Sequence, residues 1–472
     1  MNILAVIANY GSRNDGCLQR LLEEYRASSY RIHVVVLSNI PKDLGSDIEV
    51  RVGLPTKDPY SLPFGHKLVF AEMANRFDLF IYSEDDILIR DENIDAFIQQ
   101  SRVLPPELIP GFLRFEERLD GKRSYCDFHA GYCWDSQSVE KHGDKVFAYF
   151  YNLHAACFLL TREHLRRAID SGGFLVEPHS GKYDIRETAA TDPYTQCGFK
   201  KMICISELDR ASVHHLPNAY LGRFGIDEGE MKSQVGALLR LQDTMSRYEP
   251  LIQVAPGLKG GRYLREHFAP ARTDILTFID GNVRNVLSLG CGATEIALAE
   301  RGLEVVAIPV DPTVSATGAN KGVEIVSGDL KSVADQLEGR SFDCVLLIDV
   351  LHLVKQPVSL IACFMRFLNN GGKILVSVPS IRGFRFLWGW LTRGEGRKSY
   401  FEAGIRIVSP GIVRKWLKEA GAVSKILAYV PANEGLASRL PRRGIVSRLV
   451  AKEVLVQARQ NDQPDLHQTH DR

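Results

Sequence analysis

The strongest constraint on the fold is the way that short apolar runs alternate with helix-like stretches. Runs such as "NILAVIA", "RIHVVVLS", "DLFIYS" and "KMICIS" are separated by stretches such as "DGCLQRLLEEYRA" and "GHKLVFAEMANRF". A second succession begins at Asn285 with "NVLSLGCGATEIALAERGLEVVAI" and continues through "FDCVLLIDVL" and "GGKILVSVPS" to "VAKEVLVQA". Strands that alternate with helices form sheets that the helices cover. The sequence therefore predicts an α/β protein with two domains.

The stretch between the two successions sets the predicted domain boundaries. Residues 1–225 hold the first succession and residues 281–460 hold the second. Residues 226–280 are helical and polar, contain breakers such as Pro256 and Gly257, and predict a helical linker. The final residues, 461–472, are polar and predict a disordered tail.

Charge and cysteine content indicate the cellular setting. The chain has 58 Lys and Arg against 57 Asp and Glu, so its net charge favours neither nucleic acid nor an anionic membrane as a partner. Its nine cysteines are scattered and form no C-x-x-C pair, which argues against a disulfide framework and a zinc site. The first residues, "MNILAVIANYG", lack the pattern of a signal peptide and are too few to span a bilayer. These features predict a cytoplasmic protein without a transmembrane segment.

Three consecutive acids, Glu84, Asp85 and Asp86, follow the apolar run "DLFIY". On a strand, Glu84 and Asp86 share one face and Asp85 points the other way. Open α/β sheets bind ligands at the carboxyl ends of their strands. Clustered carboxylates suit Mg²⁺ or Mn²⁺, which in turn bind diphosphates. The acids therefore predict a nucleotide-sugar site, with a solvated strand end as the alternative.

The order of segments around these acids resembles the GT-A glycosyltransferase fold, especially that of family-2-type enzymes. A strand ending "IANYG", a strand ending "VVLSN", the helix "FGHKLVFAE" and the "SEDD" strand follow one another within residues 1–225. The resemblance implies that Asp86 is the main metal ligand and that Glu84 supports it. It also implies a distal histidine ligand from "ASVHHLPN", either His214, which we take as the candidate, or His215.

Three further residues are candidates for contact with the nucleotide sugar. The resemblance implies that Lys67, in the helix before the acids, contacts the diphosphate. Asn9 and Tyr10 end the first predicted strand and would face the nucleotide base. A solvated lysine and a packed tyrosine are the alternatives.

Asp192 in "TAATDPYTQCGF" is the candidate catalytic base of sugar transfer. An inverting transferase needs a carboxylate that takes the proton of the acceptor hydroxyl, and a loop can bring it over the sugar. The Asp-Pro pair predicts such a loop, although it is equally typical of a purely structural turn.

In the second half, "VLSLGCGATE" joins an apolar strand to a helix through Gly290 and Gly292, whose missing side chains let a ligand approach the backbone. The segments "EVVAIPVD", "VSGDL", "FDCVLLIDVLHLV" and "NNGGKILVSVPS" follow in order. This succession resembles a class I, type-11-like methyltransferase dependent on S-adenosyl-L-methionine, with a Rossmann-like fold, over about residues 284–460.

The methyltransferase resemblance assigns roles to individual residues. It implies that Gly290 and Gly292 contact the methionine part of the cofactor. It implies that the adenine lies against Asp329 and Leu330. Past the fourth strand, the pocket would be lined by Asp349 and by His352, which is the candidate catalytic residue there.

Three positions depart from the methyltransferase pattern. Ser288 stands where the family usually has an acid, Thr294 where it has a third glycine, and Pro309 where it has the acid that binds the ribose. Asp311 lies two residues beyond Pro309, on the same face of an extended segment, and could replace that acid. Charge-assisted bonds to ribose contribute roughly 1.5–3 kcal/mol each, so the departures leave open whether the site is rebuilt or decayed.

Together these features predict a bifunctional glycan-assembly protein. It would transfer a sugar from a nucleotide sugar with the help of Mn²⁺ or Mg²⁺, and a methyl group from S-adenosyl-L-methionine, to a small-molecule or glycan acceptor. One alternative is a methyltransferase whose N-terminal domain only binds sugar nucleotide or glycan, and another is a non-catalytic scaffold. The aromatic run "GFRFLWGWL" could cover an acceptor pocket or contact a membrane surface peripherally.

Overall fold

The computed structural model describes residues 1–129, 132–244, 270–310, 313, 321–326, 330–354, 356–379, 408–431, 447 and 451–461. The chain forms two compact units, Met1–Asp243 and Thr244–Arg472. Both units combine helices and sheets, which confirms the predicted mixed α/β class.

Among its described residues, the first unit has fourteen strands and six α-helices. Its strands are β1 (Asn2–Asn9), β2 (Arg31–Ser38), β3 (Ile48–Val52), β4 (Leu79–Glu84), β5 (Ile87–Leu88), β6 (Leu108–Pro110), β7 (Leu113–Glu117), β8 (Arg123–Tyr125), β9 (Trp134–His142), β10 (Lys145–Phe150), β11 (Cys157–Thr161), β12 (Lys200–Cys204), β13 (Ser212–His215) and β14 (Ile226–Asp227). Its helices are α1 (Asp15–Ala27), α2 (Gly65–Met73), α3 (Asp91–Ser101), α4 (Arg162–Asp170), α5 (Ile185–Thr195) and α6 (Glu228–Thr244).

The central sheet of the first unit has the strand order β11-β4-β1-β2-β3. β1 pairs in parallel with β2 and β4, whereas β11 runs antiparallel to β4. Residues 3–9 of β1 are all buried, as expected for a strand covered on both faces of the sheet. β1 and β4 end side by side, so the acids that follow β4 lie at the carboxyl edge next to Asn9.

Two smaller sheets complete the first unit. Their strand orders are β6-β12-β10-β9 and β14-β8-β7-β13-β5. A separate core forms around side chains such as Trp134 and Phe150, and it also buries Met231 and Leu238 of α6. The predicted linker from residue 226 is therefore wrong at its start, because apolar side chains of α6 pack into the first unit. Residues 245–269, the middle of that linker, lie outside the described residues.

The second unit has a seven-stranded sheet with the order β17-β16-β15-β18-β19-β21-β20. Its strands are β15 (Asn285–Leu289), β16 (Glu304–Ile308), β17 (Glu324–Ile325), β18 (Phe342–Ile348), β19 (Leu368–Pro379), β20 (Ala422–Pro431) and β21 (Ala451–Gln460). Its helices are α7 (Thr273–Leu276), α8 (Ala293–Glu300), α9 (Leu330–Gln336), α10 (Pro357–Met365) and α11 (Pro410–Glu419).

The order of the first five strands of this sheet is that of a doubly wound, Rossmann-like fold, which the sequence predicted. β15 pairs in parallel with both β16 and β18, so the chain changes direction across the sheet between β15 and β18. Ligands of such sheets bind at this switch point, beyond the carboxyl ends of the strands. The predicted disordered tail, apart from Asn461, lies outside the described residues, as does the aromatic run "GFRFLWGWL".

Among the described residues, no helix has both the length and the apolar character needed to cross a membrane.

Candidate functional sites

The acids Glu84, Asp85 and Asp86 are here called the acidic turn; Glu84 ends β4, and Asp85 and Asp86 connect it to β5. Asp85 is buried and accepts hydrogen bonds from the amide groups of Asn9 at 2.7 Å and Asn14 at 2.8 Å. Burial raises the pKa of Asp85 to about 7 in spite of these two bonds. The side-chain amides of Asn9, at the end of β1, and of Asn14 thus hold Asp85 and the acidic turn in place.

Glu84 and Asp86 repel each other electrostatically. Burial, together with the nearby charge of Asp86, raises the pKa of Glu84 to about 8, although the charge of Arg114 opposes this rise. A cation bound between these carboxylates would favour their ionised forms. The acidic turn therefore has the chemistry of a divalent metal site.

His215 provides a nitrogen ligand next to Asp86. Its Nε2 lies 3.5 Å from Asp86 Oδ2, and its Nδ1 lies 2.7 Å from Glu116 Oε1. Glu116 also accepts bonds of 3.0 Å from the backbone N–H of Tyr220. Burial lowers the pKa of His215, but its contacts with Asp86 and Glu116 outweigh burial and raise that pKa, so a cation bound at Asp86 would compete with a proton on Nε2. Since a carboxylate only accepts, Glu116 accepts the Nδ1–H bond of His215 and turns Nε2 toward Asp86. This is how carboxylates orient metal-binding histidines.

Of the two candidate histidines, His215 and not His214 lies beside Asp86. Neighbouring residues of β13 point to opposite faces, so only one of the two histidines can face Asp86. His214 lies against Phe115 instead, with the ring centroids 4.9 Å apart and the planes at 11°. A set of carboxylates with one imidazole suits Mn²⁺, which accepts both kinds of ligand.

Glu116, Cys126 and His215 also lie close enough together to share a metal ion. Two features argue against that use. The oxygens of Glu116 already accept bonds from His215 and Tyr220. Burial strongly raises the pKa of the Cys126 thiol, so the thiolate that a metal requires is disfavoured. Glu116 therefore supports His215 and is not itself a ligand.

The two residues predicted to face a nucleotide base differ in exposure. Asn9 is buried, and its amide group is bonded to Asp85. Its contribution is to hold the acidic turn in place. Tyr10 is 52% exposed at the end of β1 and is accessible to a ligand.

The loop predicted around Asp192 is wrong, because Asp192 lies inside α5. Asp184 caps this helix by accepting bonds from the backbone N–H groups of Arg186 at 3.0 Å and Glu187 at 3.2 Å. Pro193 lies inside the helix, two residues before its end at Thr195. The Asp-Pro pair therefore does not open a turn here.

Asp192 and Lys67 form a buried ion pair. Asp192 is fully buried, and Lys67 is 2% exposed with its Nζ 4.4 Å from the centre of the Phe64 ring. Burial lowers the pKa of Lys67, and the charge of Asp192 opposes this shift. The carboxylate of Asp192 also lies 3.2 Å from Nε2 of His179, whose side chain is 28% exposed. Asp192 therefore cannot reach an acceptor itself, and Lys67 is turned toward Asp192 and away from solvent.

In the second unit, residues 290–292, here called the glycine turn, connect β15 to α8. Gly290 has φ +112°, a conformation that favours glycine, and its N–H donates to Ile308 O at 2.7 Å. The hydroxyl of Ser288 donates to Glu295 Oε1 at 2.7 Å, and the N–H of Gly292 donates to Glu295 Oε2 at 2.9 Å. Glu295 thus places a buried carboxylate beside Ser288, where the family pattern has an acid.

Asp349 follows β18 and is held by two donors. Its carboxylate accepts a bond of 2.7 Å from Ser377 Oγ and one of 3.0 Å from the guanidinium of Arg272. Arg272 also pairs with Glu453 at 2.6 Å and with Asp274 at 2.8 Å. The carboxyl edge of this sheet therefore contains its own permanent cation.

Of the other residues predicted to bind the cofactor or line the pocket in the second unit, the structure describes His352 fully and Leu330 in part. His352 is buried in the short turn Leu351–Leu353, and burial lowers its pKa to about 4, so the ring is neutral near pH 7. Leu330 begins α9, but its side chain lies outside the described residues. Asp311 and Asp329 lie outside them altogether.

Comparison with solved structures gives matches to methyltransferases. A SAM-dependent methyltransferase from Thermotoga maritima is 16% identical, with 40% of this chain and 86% of the other covered and a TM-score of 0.30. A SAM-dependent methyltransferase from Archaeoglobus fulgidus is also 16% identical, with 40% and 90% covered and a TM-score of 0.31.

A third structure is an O-methyltransferase of neocarzinostatin biosynthesis in complex with S-adenosyl-L-homocysteine and 1,4-dihydroxy-2-naphthoic acid. It is 15% identical, with 40% of this chain and 53% of the other covered and a TM-score of 0.28. At these identities and scores, none of the three structures indicates the substrate of this chain.

Comparison with protein families and curated proteins gives one informative result. No curated protein matches the chain. Residues 287–376, from β15 through most of β19, match the family described as "Methyltransferase domain". The second unit therefore contains a methyltransferase domain, and the protein is an enzyme of the transferase class.

Proposed function

We propose that the protein is a bifunctional glycan-assembly transferase. The first unit, with a GT-A-like fold, transfers a sugar from a nucleotide sugar, and the second transfers a methyl group from S-adenosyl-L-methionine to the same glycan or to a neighbouring one. The observation that carries the first activity is the Nε2 of His215, which Glu116 orients toward Asp86 at 3.5 Å.

The residues of the acidic turn have separate tasks in this proposal. Asp86 and His215 are the ligands of Mn²⁺ or Mg²⁺, and Glu84 supports them. The bound cation would supply the positive charge that stabilises a diphosphate leaving group. Asn9 and Asn14 hold Asp85 in place, which prevents the turn from relaxing when the acids repel one another. Tyr10 is the exposed side chain available to the nucleotide base.

Support for the methyl transfer comes from the match over residues 287–376 and from the switch point between β15 and β18. S-adenosyl-L-methionine would supply the methyl group. The glycine turn admits the methionine part of the cofactor, and Glu295 holds that turn in place by accepting hydrogen bonds from Ser288 and Gly292. Asp349 is the candidate acid of the pocket, and His352 is a buried, neutral ring within electrostatic reach of it.

The proposal is tested by following both reactions in one sample of the full chain. Nucleoside diphosphate release is measured with UDP-glucose, GDP-mannose and dTDP-rhamnose in the presence of Mn²⁺, and S-adenosyl-L-homocysteine formation is measured with glycan acceptors. We expect EDTA to stop the first reaction and to leave the second unchanged. Donor binding without release would instead support a first unit that only binds sugar nucleotide.

A further inference from the structure

His179 has no role in the sites described above, yet it is held in a geometry that suits acid–base chemistry. It lies in the segment between α4 and α5, and its side chain is 28% exposed, whereas the neighbouring Asp192 is fully buried. The backbone carbonyl of His179 accepts a bond of 2.7 Å from Thr188 Oγ1. The edge of its ring packs against Phe64 at 5.9 Å between centroids. The ring is therefore anchored at its backbone and at one edge.

The carboxylate of Asp192 sets which ring nitrogen of His179 carries the proton. Nε2 of His179 lies 3.2 Å from Oδ1 and 3.3 Å from Oδ2 of Asp192. Because a carboxylate only accepts, the proton of the neutral ring lies on Nε2, and Nδ1 keeps its lone pair. This is the arrangement by which a buried aspartate prepares a histidine to act as a base.

Asp192 is itself fixed in place. Lys67 donates to its carboxylate, and Thr195 Oγ1 donates to Oδ1 at 3.3 Å. The charged groups near His179 are therefore Asp192 and, behind it, Lys67, with the thiol of Cys197 close to both. Lys67 and Thr195 thus hold the carboxylate of Asp192 in place beside the ring.

The surroundings of His179 are connected to the acidic turn. The short helix Pro59–Phe64 carries Phe64, which contacts His179, and Tyr60, over which the guanidinium of Arg186 lies at 4.8 Å. Burial and the charge of Asp86 raise the pKa of Glu84, and Arg186 is among the charges that oppose this rise, so the start of α5 lies within electrostatic reach of the acidic turn. These contacts connect the surroundings of His179 with the acidic turn.

We propose that His179 is the catalytic base of the sugar transfer and that Asp192 is its positioning residue; this inference rests on the proposed function. The hydroxyl proton of the acceptor passes to Nδ1 of His179, and the hydroxyl oxygen forms a bond to the anomeric carbon of the donor. The bond between that carbon and the diphosphate oxygen breaks, and its electron pair leaves with the nucleoside diphosphate. Asp192 stabilises the resulting imidazolium through Nε2.

The test compares donor affinity with turnover in the full chain. The probe is whichever of UDP-glucose, GDP-mannose and dTDP-rhamnose binds the unmodified protein with Mn²⁺ in calorimetry. We expect His179→Gln to slow nucleoside diphosphate release by about 10²–10⁴-fold at unchanged donor affinity. The matched control is His33→Gln, which removes another histidine paired with a carboxylate, Glu49 at 3.4 Å, and should leave release unchanged.

Two readouts separate a base from a structural residue. Added imidazole should restore part of the release lost in His179→Ala, and the acidic limb of the pH–rate profile should disappear in His179→Gln. Asp192→Asn should lower kcat at unchanged KM, because the side chain of residue 192 then no longer keeps the proton of His179 on Nε2.

Three results would overturn the inference. The first is full release by a correctly folded His179→Gln that binds donor. The second combines two observations: imidazole does not restore the nucleoside diphosphate release lost in His179→Ala, and the acidic limb of the pH–rate profile is unchanged in His179→Gln. Failure of the unmodified protein to bind any donor would instead refute the proposed function, and this inference with it.

Discussion

The acids at the two candidate sites have different partners. Asp86 of the first unit lies 3.5 Å from an imidazole nitrogen of His215, whereas Asp349 of the second unit lies 3.0 Å from the guanidinium of Arg272. A guanidinium is charged at all accessible pH values, whereas an imidazole is charged only when both of its nitrogens carry protons. The comparison teaches that the second site holds a permanent cation, while in the proposed function the first site takes its cation from outside.

The largest expected effect follows from removing the built-in cation. Arg272→Met leaves Asp349, Asp274 and Glu453 without the guanidinium that they share, and breaking a largely buried ion pair costs about 3–5 kcal/mol. We expect hydrogen exchange to accelerate across the second unit and not across the first. The double variant Arg272→Met with Asp349→Asn should recover part of the loss. A stability equal to that of the unmodified protein would show that the cluster is not a structural requirement.

The next effect concerns the external cation. Asp86→Asn should weaken Mn²⁺-dependent binding of nucleotide sugar by more than about 100-fold. The reason is that residues which only hydrogen-bond to a metal ligand typically already change metal affinity by about 10–100-fold. Calorimetry measures this affinity, with Asp144→Asn, a change at a side chain that is 85% exposed, as the control. Equal affinities in the two variants would remove Asp86 from the metal site.

Glu116 provides a sharper test of how His215 is oriented. Glu116→Gln should reduce Mn²⁺ affinity by about 10–100-fold, because His215 then loses the acceptor that keeps its proton on Nδ1. The control is Glu117→Gln, which changes the adjacent and exposed residue of β7. An effect of similar size in both variants would mean that general charge, and not the orientation of His215, controls the affinity.

The smallest effect is a difference in acid sensitivity. Burial lowers the pKa of His66 to about 3 and that of His164 to about 4 in the first unit, and that of His352 to about 4 in the second. These folded-state values lie below the unfolded value of about 6.5, so the unfolded chain gains protons first and stability falls as the pH drops from about 6.5 toward 4.

Between pH 7 and 5.5, each such histidine should reduce the free energy of unfolding by about 1 kcal/mol. In the first unit, Glu84 and Asp85 act in the opposite direction, because their folded-state pKa values of about 8 and about 7 lie above the unfolded values. The histidine contribution is therefore isolated by comparing the unmodified protein with His164→Gln, in which the acid-induced rise of hydrogen exchange in the first unit should be smaller. An equal rise in the two proteins would contradict the role of the buried histidine.

The sequence predicted the features that depend on local patterns. The run "NILAVIA" forms the central strand β1, paired on both sides, and the acids after "DLFIY" lie at the carboxyl edge because β4 runs parallel to β1. Gly290 was singled out as a close-approach glycine, and it has the positive φ that such a turn requires. In each case the physical signal lies within a few residues of the position predicted.

The features that were missed depend on contacts between distant residues. The choice between His214 and His215 is made by Glu116, 99 residues away, and Asp192 is paired with Lys67 across 125 residues. The missing acid at Ser288 could have been found, since Glu295 lies only seven residues on in the first turn of α8. His179 is a single histidine in a polar stretch, and nothing in its local pattern distinguishes it.

The central difference between the two units is tested most directly by calorimetry on the full chain, with nucleotide sugar and S-adenosyl-L-methionine each titrated with and without Mn²⁺. Because the proposed function gives the first site an external cation, whereas the second contains Arg272, we expect nucleotide-sugar binding only with Mn²⁺ and cofactor binding that Mn²⁺ does not change. Nucleotide-sugar binding of equal strength without the metal, or cofactor binding that depends on it, would contradict the account.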